Sequence, residues 1–117
     1  METSIEELSY RFALRIVKLN EALHRQHHYV LSKQILRSGT AIGALTAKAQ
    51  YAQSKPDFIH KLHIALREAN ETRYWLRLLR DSGYIDSDLF SSLLSELERI
   101  ILRILTRIVN TSKKNLQ

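Results

Sequence analysis

Apolar positions recur along this chain in four long runs that step alternately by three and four residues, the spacing that keeps one face of an α-helix buried. The third run shows it most plainly. Phe58, Leu62, Ala65, Ala69, Thr72, Leu76 and Leu79 hold a single seam, as in a helix packed nearly parallel to its neighbours. The first run carries Ile5, Leu8, Phe12, Ile16, Leu19 and Leu23, and the second Leu31, Ile35, Ser38, Ile42, Leu45 and Ala49. The fourth, from Leu89 to Val109, is the most apolar, its arc covering well past half the helix circumference.

Helix-end chemistry divides these runs. Ser4 and Glu7 fit the Ser-x-x-Glu capping box. A polar break from His24 to His28 ends the first helix. Ser54 is a natural N-cap for the third, with Asp57 three residues on and Pro56 in the first turn, where its missing N–H does no harm. Gly83 supplies a left-handed C-terminal residue, and Asp86 or Ser87 opens the fourth helix. The predicted helices cover about residues 4–24, 29–53, 55–81 and 87–110, with Lys113 to Gln117 as a frayed polar tail. Short connections force each helix antiparallel to the last. The expectation is one all-α domain over residues 1–117, an antiparallel up-down-up-down four-helix bundle.

Two features exceed what a lone bundle needs. On the first helix Tyr10, Leu14 and Val17 stand roughly 140–160° from the core stripe. On the fourth, Leu94, Ile101, Leu102, Leu105 and Val109 widen the apolar arc. Such second strips predict contact between copies, a homo-oligomer, against the plain alternative of scattered surface apolar groups. Beside the second seam, Gly39, Gly43 and Ala47 form a ridge of small residues. Two helical glycines cost about 1 kcal/mol each relative to alanine, so close approach by a neighbouring helix is expected.

Composition narrows the chemistry. The 117 residues contain no cysteine, which excludes disulfides, thiolate zinc sites and a cysteine nucleophile. The first residues are acidic and lack the apolar core of a secretion signal, and no run is long and apolar enough for a membrane span. Lysine and arginine number 18 against 12 aspartate and glutamate, a net charge of +6 that makes nucleic acid the first partner to consider. Three basic groups stand out: Arg11, Arg15 and Lys18; Arg73, Arg77 and Arg80, beside Tyr74; and Arg99, Arg103 and Arg107. Each is equally readable as a solvated helix face.

The run Ile35-Leu36-Arg37-Ser38-Gly39-Thr40-Ala41-Ile42-Gly43-Ala44 is followed by Ala52-Gln53-Ser54-Lys55, Asp57-Phe58-Ile59 and Ile64-Ala65-Leu66-Arg67-Glu68-Ala69-Asn70-Glu71-Thr72-Arg73-Tyr74-Trp75-Leu76. Together these resemble the bacterial four-helix-bundle proteins, also known as 23S rRNA intervening-sequence proteins. The match is strong over about residues 34 to 85, and the outer helices agree in pattern. The resemblance implies a cytoplasmic bundle, a ring-like pentamer in known cases, with no established catalytic activity. Relatives include the accessory variability proteins of diversity-generating retroelements, which bind a reverse transcriptase and nucleic acid. Two positions depart from the pattern: Leu45 stands where the family usually has Asn, and Lys48 where it usually has Glu. Arg37 with Glu68 or Glu71 is the retained charged set. A pairing between the second and third helices would fix their register, the alternative being solvated side chains.

Enzyme readings find little purchase. Glu21-x-x-His24 and the looser Asp57-x-x-His60 echo di-iron bundle spacing, but both lie near helix ends and off the core seams. No arginine is followed by histidine at the distance that small helical RNases of the HEPN type use, and no glycine-rich phosphate loop is present. No catalytic, cofactor or metal-binding residue is assigned. The expected function is a non-enzymatic homo-oligomeric binding protein, pentameric by resemblance, with RNA or DNA as leading partner. A pentamer would carry about +30, a field suited to salt-dependent, largely sequence-independent binding. The alternative is a protein-interaction scaffold or accessory subunit that does not itself bind nucleic acid.

Overall fold

The structure, a computed structural model, describes residues 3–115, with no account of the side chains of 114 and 115. Four helices follow in order: α1 (Ile5–Arg25), α2 (Tyr29–Ala49), α3 (Lys55–Asp81) and α4 (Ser87–Asn115). They form an antiparallel four-helix bundle measuring 52 × 24 × 23 Å. Each helix packs on the one before and after it, and α4 closes against α1. The backbones of diagonal pairs stay apart, and α1–α4 is the least intimate of the four seams.

Local chemistry starts three of the four helices; at α2, His28 makes no side-chain cap. The Ser4 hydroxyl accepts a hydrogen bond from the Glu7 N–H at 3.1 Å, but the Glu7 carboxylate accepts from Arg11 Nε at 3.1 Å. The α1 cap is thus half a capping box, its carboxylate drawn off by the cation one turn on. At α3 both side chains bond the backbone: Ser54 Oγ accepts from the Asp57 N–H at 3.2 Å, and Asp57 reaches back past the cap to accept from the Gln53 N–H at 3.1 Å. Asp86 caps α4 by accepting from the Leu89 N–H at 2.8 Å. Lys61 and the Gln53 N–H hold the Asp57 carboxyl below the usual carboxylate range.

Two helices end alike on different residues. After α3, Gly83 has φ 78°, its N–H donates to the Arg80 carbonyl at 3.0 Å, and the Tyr84 N–H donates to the Leu79 carbonyl at 2.9 Å. After α1, His27 has φ 67°, and the His27 and His28 N–H groups reach the carbonyls of His24 and Leu23, both at 3.0 Å. Both are Schellman ends. A histidine in this left-handed region costs roughly 1–2 kcal/mol that glycine avoids, so the first end was hidden in the sequence and the second was not.

The boundaries differ from expectation at two places. α2 stops at Ala49 rather than Gln53, its last turn tightening as Tyr51 and Ala52 donate three residues back. Ala49 is the last buried residue of that seam and Tyr51 is 88% exposed, so a longer helix would bury nothing more. α4 continues through Lys113 to Asn115, with neither Gly nor Pro to halt it. The remainder of the expected tail lies outside the described residues.

The predicted seams meet in one core. Phe12, Ile16, Ile35, Ile42, Leu62, Leu76, Leu97 and Ile104 are fully enclosed. α1 and α2 come closest at the glycines. A Cβ on Gly39 would lie 2.9 Å from Ile16 Cγ1, and one on Gly43 would lie 3.4 Å from the Ser9 carbonyl oxygen. Ala47 does not share this contact. It is exposed and lines a groove with Tyr10, Ala13 and Ala44. Between α2 and α3 the buried Thr72 hydroxyl lies 2.9 Å from Ser38 Oγ and 2.8 Å from the Glu68 carbonyl, so it donates to the carbonyl and accepts from the serine.

Candidate functional site

The polar work of the α2–α3 face centres on Arg37. One guanidinium nitrogen donates to Glu68 Oε2 at 2.8 Å and the other to Glu71. The indole N–H of Trp75 donates to the same Glu71 oxygen at 3.0 Å. Two carboxylates of α3, one turn apart, therefore engage one residue of α2, and Trp75 of the same helix bonds the second of them. Trp75 first, then Arg37, holds the Glu71 carboxyl below the ordinary glutamate range, while Glu71 and Glu68 raise the Arg37 guanidinium. Glu68 is the most shielded member at 18% side-chain exposure; Arg37 is 51% exposed.

The nine basic residues of the three sequence groups fall into different roles. Arg15 bridges the α1–α4 seam, donating to Glu96 at 2.8 Å and Ser92 at 3.0 Å. Arg103 donates to the Thr3 carbonyl at 2.9 Å. Arg80 pairs with Asp81 at 2.8 Å, which lowers that carboxyl, and lies 4.1 Å over the Phe90 ring. Arg73 is half buried. Arg11 is tied loosely to Glu7, and Lys18 lies 3.9 Å from Glu21. Arg77, Arg99 and Arg107 are exposed.

Tertiary structure draws two of these groups together. Arg11 of α1 and Arg99 of α4 line one small depression of about 110 Å³ with Leu8, Glu96 and Ile100. Arg15 and Lys18 border a second, about 300 Å³, with Leu19, Ala22, Leu89 and Leu93. Arg11, Arg15, Lys18 and Arg99 thus share the α1–α4 face, and Arg73, Arg77 and Arg80 stand elsewhere on α3.

The candidate assembly residues divide as well. Tyr10, Leu14, Val17, Leu102, Leu105 and Val109 are 37–64% exposed. Ile101 is buried in the core, and Leu94 is half buried against it. At about 100° per residue Ile101 lies only about 40° from Leu97, on the core face itself. The two strips do not merge, although α1 and α4 are neighbours. Arg11, Arg15, Glu96 and Arg99 stand along the seam between them.

Neither carboxylate–histidine pair gathers a site. Glu21 faces Lys18, Asp57 is bonded to Lys61 at 2.6 Å, and no group of three or more His, Asp or Glu among the described residues is placed to hold a metal ion. No helix among the described residues is long and apolar enough to cross a membrane. Sequence reasoning passed over the aromatic cluster where α1 meets α2. His28 stacks on Tyr84 at 3.6 Å, and His24 and His27 meet Tyr29 edge-on at 5.0 and 5.7 Å. Five aromatic or imidazole rings, four at or beside the α1–α2 turn and one from the α3–α4 connection, could not be joined without the fold.

This arrangement defines an antiparallel helical bundle whose distinctive chemistry lies on its outer faces and one end. The chain belongs to the 23S rRNA-intervening sequence protein family, whose model matches residues 1–106. It is similar to a protein of unknown function from the S23 ribosomal protein family of Bacteroides thetaiotaomicron, known from its crystal structure. The two are 46% identical with a TM-score of 0.88, over 90% of this chain and 98% of that one. No curated protein matches the chain.

Proposed function

We propose that the protein is a non-catalytic, self-assembling bundle that binds polyanions, nucleic acid foremost, through the α1–α4 face. The observation that carries this reading is the convergence of Arg11, Arg15 and Lys18 with Arg99 on that face, on a chain of net charge +6. Cations at close spacing neutralise phosphates and release counterions, which gives affinity without sequence preference. The exposed apolar side chains on α1 and α4 support assembly. Their separation by the charged seam favours a head-to-tail contact, in which one patch meets a different patch on the next copy, and such contacts form a ring where the rotation between copies closes. The pentamer implied by the family resemblance fits that arrangement.

A gel shift across a salt series tests the binding, with light scattering for the subunit number. Affinity should fall steeply between 50 and 200 mM salt, on the order of a hundredfold or more for several phosphate contacts. Arg11→Glu with Arg99→Glu should abolish it. Binding indifferent to salt, or absent at 50 mM, would refute the reading. A protein-interaction scaffold is the second reading, favoured by the internal engagement of Arg15, Arg80 and Arg103. It predicts co-purification of a protein partner in material whose absorbance at 260 nm shows no nucleic acid.

A further inference from the structure

We infer that the bundle end formed by His24, His27, Tyr29 and the His28–Tyr84 stack is a base-stacking platform, so that the preferred polyanion is single-stranded nucleic acid. The inference rests on the polyanion reading above and adds to it the form of the ligand. Three observations point there. The rings are presented outward: His24 and His27 are exposed and Tyr29 is 51% exposed.

The rings are also held in place. His28 and Tyr84 stack at 3.6 Å, joining the α1–α2 connection to the α3–α4 connection, and His27 Nδ1 lies 2.6 Å from the Tyr29 hydroxyl. The shallow site beside them, about 200 Å³, is lined by His27, His28, Tyr29, Val30, Leu31 and Tyr84. It is smaller than the ~300–1,000 Å³ that encloses a drug-sized ligand, and suits a flat ring laid on its surface.

Finally, cations lead to it. Arg11, Arg15, Lys18 and Arg25 follow one side of α1 toward this end, spanning about 21 Å at 1.5 Å per residue. A positively charged track beside aromatic rings is the combination by which proteins hold single strands, since every base offers a face for stacking. A duplex keeps its bases stacked on each other and gains only the cationic track.

The test is fluorescence anisotropy of the full chain with a labelled oligothymidylate of about twelve nucleotides and with a duplex of equal length. The single strand should bind more tightly. Tyr29→Ala should weaken it roughly 5- to 100-fold while leaving duplex affinity and salt slope unchanged; Tyr29→Phe, which keeps the ring but loses the hydroxyl that reaches His27, should recover most of that loss. His27→Gly removes a ring where the positive φ favours glycine, so the fold is retained, and it should also weaken the single strand. Equal affinity for strand and duplex overturns the platform. So does parental binding by both Tyr29→Ala and His27→Gly while Arg11→Glu with Arg99→Glu abolishes it; the polyanion reading then stands alone. No binding of either probe at low salt ends both.

Discussion

The α2–α3 and α1–α4 seams lie on opposite sides of the bundle and are held differently. Between α2 and α3 a buried hydroxyl pair, Ser38 and Thr72, sits beneath a surface clasp in which Arg37 spans Glu68 and Glu71 and Trp75 anchors the second carboxylate. Ala65 and Ala69 of α3 are buried in the core. Between α1 and α4, Arg15 reaches across to Glu96 and Ser92, Arg103 reaches the Thr3 carbonyl just before α1, and the seam opens into two depressions. One side of the molecule has its polar groups turned to fixing register. The other leaves cations and apolar side chains facing outward, which is where we place binding and assembly.

That contrast can be tested in order of expected effect. Leu76→Ala, at a fully enclosed site, should cost about 3–5 kcal/mol. Leu93→Ala, which borders the 300 Å³ depression, should fall near the low end of such truncations, about 2–3 kcal/mol, because solvent and neighbours relieve the void. Equal losses in chemical denaturation would remove the distinction. Next comes Thr72→Val, which leaves the buried Ser38 hydroxyl without its partner and should cost about 1–3 kcal/mol. Adding Ser38→Ala should recover part of that loss, since both halves of the pair are then apolar. A double variant no better than the single one would show that the pair does not act as a unit.

Arg37→Met should cost about 1 kcal/mol, discounted for the half-exposed guanidinium, and Arg15→Met less. The reverse ranking in thermal melts would contradict the comparison. The smallest effect is an acid dependence. The folded state lowers the Glu71 carboxyl below its ordinary value of 4.5. The stabilisation it brings is therefore fully present above that value and is lost as pH falls through the depressed one. Glu71→Gln should flatten that part of the stability–pH curve, and an unchanged curve would show that the clasp contributes nothing there.

Much of this was legible along the chain, because helix periodicity and capping are local. The α3 seam, the Ser54 cap and the Gly83 end follow from residues within a few positions of each other. Where reading failed, the cause was specific. His27 occupies a glycine's conformation, so α1 ends on a motif that its composition conceals. Ile101 sits in a stretch so apolar that strip and core could not be told apart until α3 and α1 were in place around it. The arginine groups looked equivalent as ladders, yet Arg15, Arg80 and Arg103 found partners 81, 1 and 100 positions away.

By itself the sequence determined the four helices, their seams and their antiparallel order, since each depends on spacing within a helix or on the length of a turn. Only the tertiary structure decided which outward residues share a face: Arg11 with Arg99, and His28 with Tyr84. Those pairings depend on how each helix is rotated about its axis when its core side chains interlock, and that rotation is set by all four helices at once.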